Sequence, residues 1–296
     1  MNKTIDHIIE TLMPFAPMDA IGVGVIDFKN NSFEVTQKHP FESDEVYFDL
    51  ASLTKPLTNS LSYFLKPESF TSEMLLCLSH RGGLPSWGLL PHVGWKEIIL
   101  SYPVKESETL YSDFSALRVH LELEKQNIDQ KKICETVWDK ETLYWTELSA
   151  LAQTPQYGYK NGRANYGEVH DPNAWVIGSF CSHAGLFSTI RGVCQTLLNF
   201  QTKTDFISIV TADLKKQPHR FSYGWDRVVD PSNTLAGTGC STSTFGHLGF
   251  TGTSIWIDPE KMRGHVILTN AVKHHWFDKT ILNDIRRMIG SEVWKF

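Results

Sequence analysis

Ser52 and Lys55 stand three positions apart in the stretch YFDLASLTKPLTNS, Tyr47 to Ser60. A serine hydroxyl is a weak nucleophile until a base takes its proton. A lysine serves as that base when burial or a cationic neighbour lowers its pKa. Pro56 follows at once, and proline, lacking an N–H, is tolerated only near the first turn of a helix. A helix through TKPLTNSLSYFL therefore begins close to Ser52. It sets Ser52 beside Lys55 and is expected to bury Leu53, Leu57, Leu61 and Phe64 on one face. A helix N-terminus also offers backbone donors to a developing anion. The pair alone fits an ordinary helix start equally well, because S-x-x-K arises by chance in a chain with this many serines and lysines.

Two further stretches stand in the order that S-x-x-K hydrolases require: YSD, Tyr111 to Asp113, and GHLGFTGTSIWIDPE, Gly246 to Glu260. Together with FDLASLTK, HRGGLPSW, YSDFSAL and HAGLFST they spread from about residue 20 to residue 290. On these blocks the chain resembles the serine β-lactamase-like family, which holds class C β-lactamases, D,D-peptidases and related carboxylesterases. The resemblance implies an α+β fold of the β-lactamase/transpeptidase type and catalysis through an acyl-enzyme, with no cofactor and no metal. By position, Ser52 matches the acylated nucleophile and Lys55 its base. Tyr111 matches the tyrosine of Y-x-N, a proton shuttle. His247 and Gly249 match the third motif, on a strand edge lining the site. The oxyanion hole would be the N–H groups of Ser52 and Phe250, and Asp113, His247, Gly249 and Phe250 would meet the substrate.

Two positions depart from the family pattern. Asp113 stands where the resemblance expects asparagine, and an ionised carboxylate only accepts hydrogen bonds. Its charge would also tend to hold Lys55 protonated. His247 replaces the lysine of K-T-G, and neutral histidine offers no permanent charge to a substrate carboxylate. Both changes point away from efficient β-lactamase action. Asp113 is expected either to favour a substrate with an amine or to face water. Only 58 residues lie between Ser52 and Tyr111, which is short for the family and implies either a more open site or a loss of activity. The expected activity is hydrolysis of an ester or amide in small or cell-wall-derived peptides carrying D-amino acids. The rivals are a promiscuous carboxylesterase and a catalytically silent penicillin-binding fold used for sensing.

The elements that must position these residues follow from periodicity and turn chemistry. Ile5, Ile8, Ile9 and Leu12 fall at helical spacing, and AIGVGVIDF and SFEVTQ read as a hairpin turning at Asn30 and Asn31. TSIWID and HVILTNA read as strands around the turn DPEKMRG, and Phe277, Ile281, Ile285 and Met288 as a terminal helical stripe. Helices are expected in SALRVHLELEKQ and RGVCQTLLNFQ. The reading is one domain, with residues 1–65 and 222–296 forming an antiparallel sheet flanked by terminal helices and residues 66–221 a helical, loop-rich insertion.

Composition excludes several classes. The 296 residues carry a net charge of -5 with no basic block, unlike a nucleic-acid surface. No apolar run approaches the roughly 20 residues of a membrane span. Five cysteines without C-x-x-C read as free thiols in a reducing compartment. The N-terminal segment carries Asp6 and Glu10 and lacks a continuous apolar core, so a cytoplasmic location is expected. No G-x-S-x-G or H-E-x-x-H occurs. His80 reads as a brace for the Tyr111 loop, His183 as a candidate at the site entrance, and Asp171-Pro172 as a helix start. His265, His274 and His275 read as surface residues. Trp87, Trp225 and Trp256 are candidates to line a pocket.

Overall fold

A computed structural model describes residues 2–296. The chain opens with α1 (Asn2–Leu12), the hairpin β1 (Ile21–Asp27) and β2 (Ser32–Lys38), the short β3 (Phe48–Asp49), and a helical segment ending in α2 (Leu61–Leu65). The middle holds α3 (Ser72–Leu78), α4 (Trp95–Ser101), α5 (Asp113–Lys125) and α6 (Gln130–Glu135), then β4 (Thr142–Tyr144). A small hairpin of β5 (Tyr159–Lys160) and β6 (Arg163–Ala164) follows, with α7 (Pro172–Ile177), β7 (Leu186–Ser188), α8 (Ile190–Thr204) and α9 (Phe206–Lys216). The chain closes with β8 (Phe221–Ser222), β9 (Trp225–Arg227), β10 (Phe245–Leu248), β11 (Ser254–Asp258), β12 (Arg263–Thr269) and α10 (Thr280–Val293).

Both ends of the chain build one seven-stranded sheet in the order β2-β1-β12-β11-β10-β9-β8, with every pairing antiparallel. The first and last long strands lie side by side, Ile21 opposite Thr269. This is the expected α+β architecture. Side chains alternate across a strand, and β1 uses both faces. Ile21, Val23 and Val25 join Ile5, Ile8 and Ile9 of α1 and Leu282, Ile285 and Ile289 of α10 in one buried cluster. The opposite face presents Gly22 and Gly24 to α8. A methyl group on Gly24 would come within 2.2 Å of Cys194 Sγ, and one on Gly22 within 3.1 Å of Ile190 Cβ. The alternation of glycine with branched residues thus lets one helix lie close against the backbone while two others pack on the far side. In consequence α8, inside the stretch read as insertion, packs on the main sheet.

The helical segment after Ser52 differs from a plain amphipathic helix. It starts as a 3-10 turn over Ala51–Leu53, passes through a π turn at Pro56–Ser60 and ends as α2. A π turn leaves carbonyls without their usual partners. Here Leu57 O accepts Trp138 Nε1 at 2.8 Å, and Thr58 O lies 3.5 Å from Cys134 Sγ. The expected face of Leu53, Leu57 and Leu61 is buried, Phe64 only partly. The rest of the turn is buried too, because the segment lies between the sheet and the helical region. Two of its polar side chains are paired: Thr58 Oγ1 donates to Ser182 O at 2.9 Å, and Asn59 Oδ1 accepts from Gln130 Nε2 at 2.8 Å, while Ser60 Oγ is buried without a partner.

Some local readings shift. The first hairpin turns over four residues, Phe28–Asn31, with Asn31 left-handed at φ 50°. The terminal stripe is rotated: Phe277 precedes α10 and is 73% exposed, Met288 is 46% exposed, and the buried face is Leu282, Ile285, Ile289 and Val293. Trp225 and Trp256 are core residues and Trp87 is exposed, so none of the three lines the cleft beside Ser52. His265 is buried rather than superficial, donating to Ala236 O at 3.1 Å. Among the described residues no cluster fit for a metal occurs and no helix is long and apolar enough to cross a membrane.

Gly24→Ala is expected to cost about 1–3 kcal/mol in urea unfolding through overpacking against Cys194. Combined with Cys194→Ala, the loss should be smaller than the sum of the two single losses, since the sites share one contact.

Candidate active site

Ser52 sits where four segments converge. Ala51 before it is left-handed at φ 48°, a conformation that costs a non-glycine residue about 1 kcal/mol or more and persists only when its surroundings enforce it. Asp49 enforces it. Its Oδ1 accepts Ala51 N–H at 2.8 Å and its Oδ2 accepts His170 N–H at 2.7 Å. Burial raises the Asp49 carboxyl to about 6, against the pull of those two donors. Leu50 N–H donates to Leu186 O at 2.9 Å. From the β10–β11 turn, Thr251 Oγ1 donates to Asp49 O at 2.8 Å and Thr253 Oγ1 to Leu50 O at 3.0 Å. Gly249 makes that approach possible: a Cβ there would meet Thr253 Oγ1 at 1.9 Å and Leu50 O at 2.8 Å.

Lys55 lies one turn on and is 3% exposed. Its Nζ is 2.9 Å from Ser52 Oγ, 2.9 Å from His183 O and 2.7 Å from Asp113 Oδ1. Burial works against its charge, but Asp113 and Tyr111 beside it outweigh that and raise the ammonium above its ordinary value. Asp113 therefore faces Lys55. Its side chain is 15% exposed and is not among the residues lining the cleft beside Ser52. The Tyr111 ring lies beneath Lys55, with Nζ 5.1 Å from its centre. Burial, opposed by Lys55, keeps the Tyr111 phenol above its ordinary value.

The loop carrying Tyr111 is held by the HRGGLPSW block. His80 Nδ1 accepts Ser112 N–H at 3.2 Å and His80 O accepts Leu110 N–H at 2.9 Å. Ser112 Oγ donates to Pro85 O at 2.6 Å, and Asp113 N–H to Ser86 O at 2.8 Å. The His80 ring also packs on Tyr111 at 4.6 Å between centres. His80 is thus buried as a brace. Ser112 caps α5, as Asp171 caps α7.

His247 on β10 faces Tyr111 at 5.8 Å between ring centres. Its Nδ1 donates to Leu248 O at 2.9 Å, which leaves Nε2 as a bare buried acceptor. Burial and then Lys55 push it down to about 3, so it is neutral. His183 does not border an entrance. It is fully buried, its carbonyl holds Lys55, and its Nε2 pairs with Asp171 at 2.9 Å. Burial opposes the imidazolium, yet Cys181 and Asp171 raise His183 to about 10, and His183 in turn holds Asp171 well below the carboxylate range.

Ser52, Tyr111, His247, Gly249 and Phe250 line one cleft of about 410 Å³. Sequence reasoning missed the residues that complete it: Arg220, Lys279, Asn283 and Arg286. Arg220 is closed by a two-point pair with Asp226 at 2.7 and 2.8 Å. Arg286 is 3% exposed, reaches Thr253 O at 2.9 Å and Asn283 Oδ1 at 3.1 Å, and keeps a buried Nε without an acceptor. Burial lowers its guanidinium to about 10. Lys279 contacts the Phe250 carbonyl and stands 4.5 Å over the Phe250 ring. Burial lowers it to about 8. The readable signal was an arginine and an asparagine three apart inside an apolar helical pattern.

A half-buried serine beside a buried lysine, held between an antiparallel sheet and a helical region with a tyrosine and a strand edge at the cleft, is the arrangement of the β-lactamase/transpeptidase-like fold. Comparison with known proteins agrees. Residues 141–285 match the Beta-lactamase family model. A Salmonella agona (strain SL483) protein, provisionally named a D-alanyl-D-alanine carboxypeptidase, is 34% identical over 143 aligned residues, covering 42% of this chain and 32% of that protein. An Escherichia coli O157:H7 protein of the same provisional name is 33% identical over the same extent. The match thus spans about a third of these curated relatives. Among solved structures, the D-alanine carboxypeptidase AmpC from Burkholderia cenocepacia and a class C beta-lactamase from Rhodobacter sphaeroides each superpose with a TM-score of 0.67, at 14% identity over 98% of both chains. Residues 141–285 thus match the Beta-lactamase family, and the whole chain shares the fold of class C β-lactamases.

The Asp171–His183 pair predicts a stability change. His183→Leu strands a carboxylate, and urea unfolding should show a loss of about 3 kcal/mol. With the folded pKa raised, the His183 contribution is complete below its unfolded value of about 6.5 and fades as pH rises through about 10. With the folded pKa depressed, the Asp171 contribution is complete above its unfolded value of about 4 and fades below it. The variant's deficit should therefore be largest between about pH 4 and 6.5.

Proposed function

We propose that the protein is a serine hydrolase that cleaves an ester or amide through a Ser52 acyl-enzyme. The observation that carries the reading is Lys55 Nζ at 2.9 Å from Ser52 Oγ, at the edge of a cleft that Tyr111 also lines. With Lys55 as the free amine, Ser52 Oγ attacks the carbonyl carbon and its proton passes to Nζ. The carbonyl π pair becomes an oxyanion, which the N–H groups of Ser52 and Phe250 receive. Tyr111, kept protonated by burial, passes a proton to the leaving group as the C–O or C–N bond breaks and takes in return the proton held on Nζ, which restores the free amine. Water then repeats the sequence on the acyl-enzyme and frees Ser52.

The preferred substrates in this reading are small or cell-wall-derived peptides with D-amino acids and a terminal carboxylate. Arg286, with its unfilled Nε, and Lys279 supply the positive charge that His247 does not. The provisional carboxypeptidase names of the relatives point the same way. β-Lactam turnover is expected to be weak or absent. Five buried, unpaired cysteines suit action in a reducing compartment. A second reading, a carboxylesterase, draws support from the apolar wall of Phe221, Leu235, Leu248 and Phe250.

A fluorophosphonate and a labelled penicillin, each followed by mass spectrometry, test these readings. A phosphonate adduct on Ser52, lost in Ser52→Ala, is expected. No adduct with either reagent would sink the enzyme reading and leave a silent binding fold. If carboxylate-bearing peptides are the substrates, Arg286→Leu should raise their KM by about tenfold or more while leaving neutral esters little changed. Equal effects on both would favour the carboxylesterase.

A further inference from the structure

We propose that Asp113 is a positioning residue that holds Lys55 as an ammonium, so that Ser52 becomes nucleophilic only under alkaline conditions. This rests on the serine-hydrolase reading for its consequence, though not for the charge it assigns.

The geometry around Nζ carries it. Lys55 Nζ makes hydrogen bonds of 2.9 Å to Ser52 Oγ and His183 O and an ion pair of 2.7 Å with Asp113 Oδ1. An ammonium has three N–H donors and no lone pair, so it serves the two hydrogen bonds and the ion pair together. In that state Ser52 Oγ is an acceptor and has nowhere to send its own proton. If one proton passes from Nζ to hydroxide in bulk solvent, forming water, two N–H groups remain for His183 O and Asp113. The freed lone pair then faces Ser52 Oγ–H. One proton, with no movement of heavy atoms, separates the resting site from the armed one.

Asp113 is the charge that resists this step. The other groups around Lys55 are neutral or internally balanced. His80 and His247 are held neutral by burial. Asp171 is paired with His183, and Arg220 with Asp226. Tyr111 retains its proton. Among the described residues the α5 carboxylate at 2.7 Å is the uncompensated charge in direct contact with Nζ. Without it, burial of Lys55 would be opposed by Tyr111 alone and would shift the balance toward the free amine. Asparagine at 113 would keep one acceptor oxygen and the side-chain size while removing the charge.

The test is to follow the Lys55 13Cε resonance through a pH titration in the wild type and in Asp113→Asn, assigning it by its loss in Lys55→Met. Ser52 labelling by a fluorophosphonate is timed across the same range. The expected result is a wild-type Lys55 that titrates above its ordinary 10.5 and a variant that titrates lower by about two pH units or more. Labelling at about pH 7 should quicken about tenfold or more in the variant, its acid limb moving with the resonance. A wild-type Lys55 that titrates below about pH 9 overturns the proposal whether or not the variant folds. So does an unchanged titration, or a folded variant that labels more slowly at every pH, since Asp113 would then be accepting the proton itself. A shifted resonance with no labelling in either protein supports the charge assignment and counts against the hydrolase reading.

Discussion

A cation almost fully removed from water must be surrounded by acceptors, and at Lys55 this requirement organises the molecule. A buried charge without partners costs several kcal/mol. The three acceptors come from three parts of the chain: Ser52 one turn back, the His183 carbonyl before β7, and Asp113 at the start of α5. Each of these is fixed in its turn. Asp49 shapes the turn at Ala51, the His80 loop holds Ser112 and Asp113, and the Asp171–His183 pair anchors the segment whose carbonyl meets Nζ. The sheet and the helical region are thus joined through one ammonium.

Close packing of backbone against backbone is the second theme. Gly249 lets the end of β10 approach the Leu50 carbonyl, which sets the wall of the cleft against the nucleophile turn. Gly22 and Gly24 let α8 approach β1, which leaves the other face of the sheet to α1 and α10. Gly249 sets how far the cleft wall stands from Ser52, and Gly22 and Gly24 set how far α8 stands from the sheet.

Much of this is legible in the amino-acid sequence. Pro56 locates the start of the helix that carries Ser52 and Lys55, because its missing N–H excludes a later position. The strand alternation at both ends of the chain points to the composite sheet. The motif blocks prove to be neighbours in space: HRGGLPSW supports YSD, and HAGLFST supplies the carbonyl that holds Lys55. What stays hidden depends on contacts between distant residues. The partner of Asp113 is 58 positions away, and that of His183 is a capping aspartate with its own local explanation. Arg286 cannot be placed in the cleft while Phe277 and Met288 are taken as buried, because that assumption sets the wrong phase for α10. A single-helix stripe fixes a face only when the helix boundaries are right.

The pairing of β1 with β12 has a consequence in time. Ile21 and Thr269 lie 248 positions apart, so the central strands of the sheet come together only after almost the whole chain has been made. Long-range pairings of this kind fold slowly because loop closure precedes any gain from contact. During synthesis the Ser52 turn emerges early and His247 late, and the Thr251 and Thr253 hydroxyls that pin the turn arrive later still. A nascent or truncated chain therefore holds the serine without its wall. The cleft beside Ser52 is therefore a property of the finished polypeptide alone.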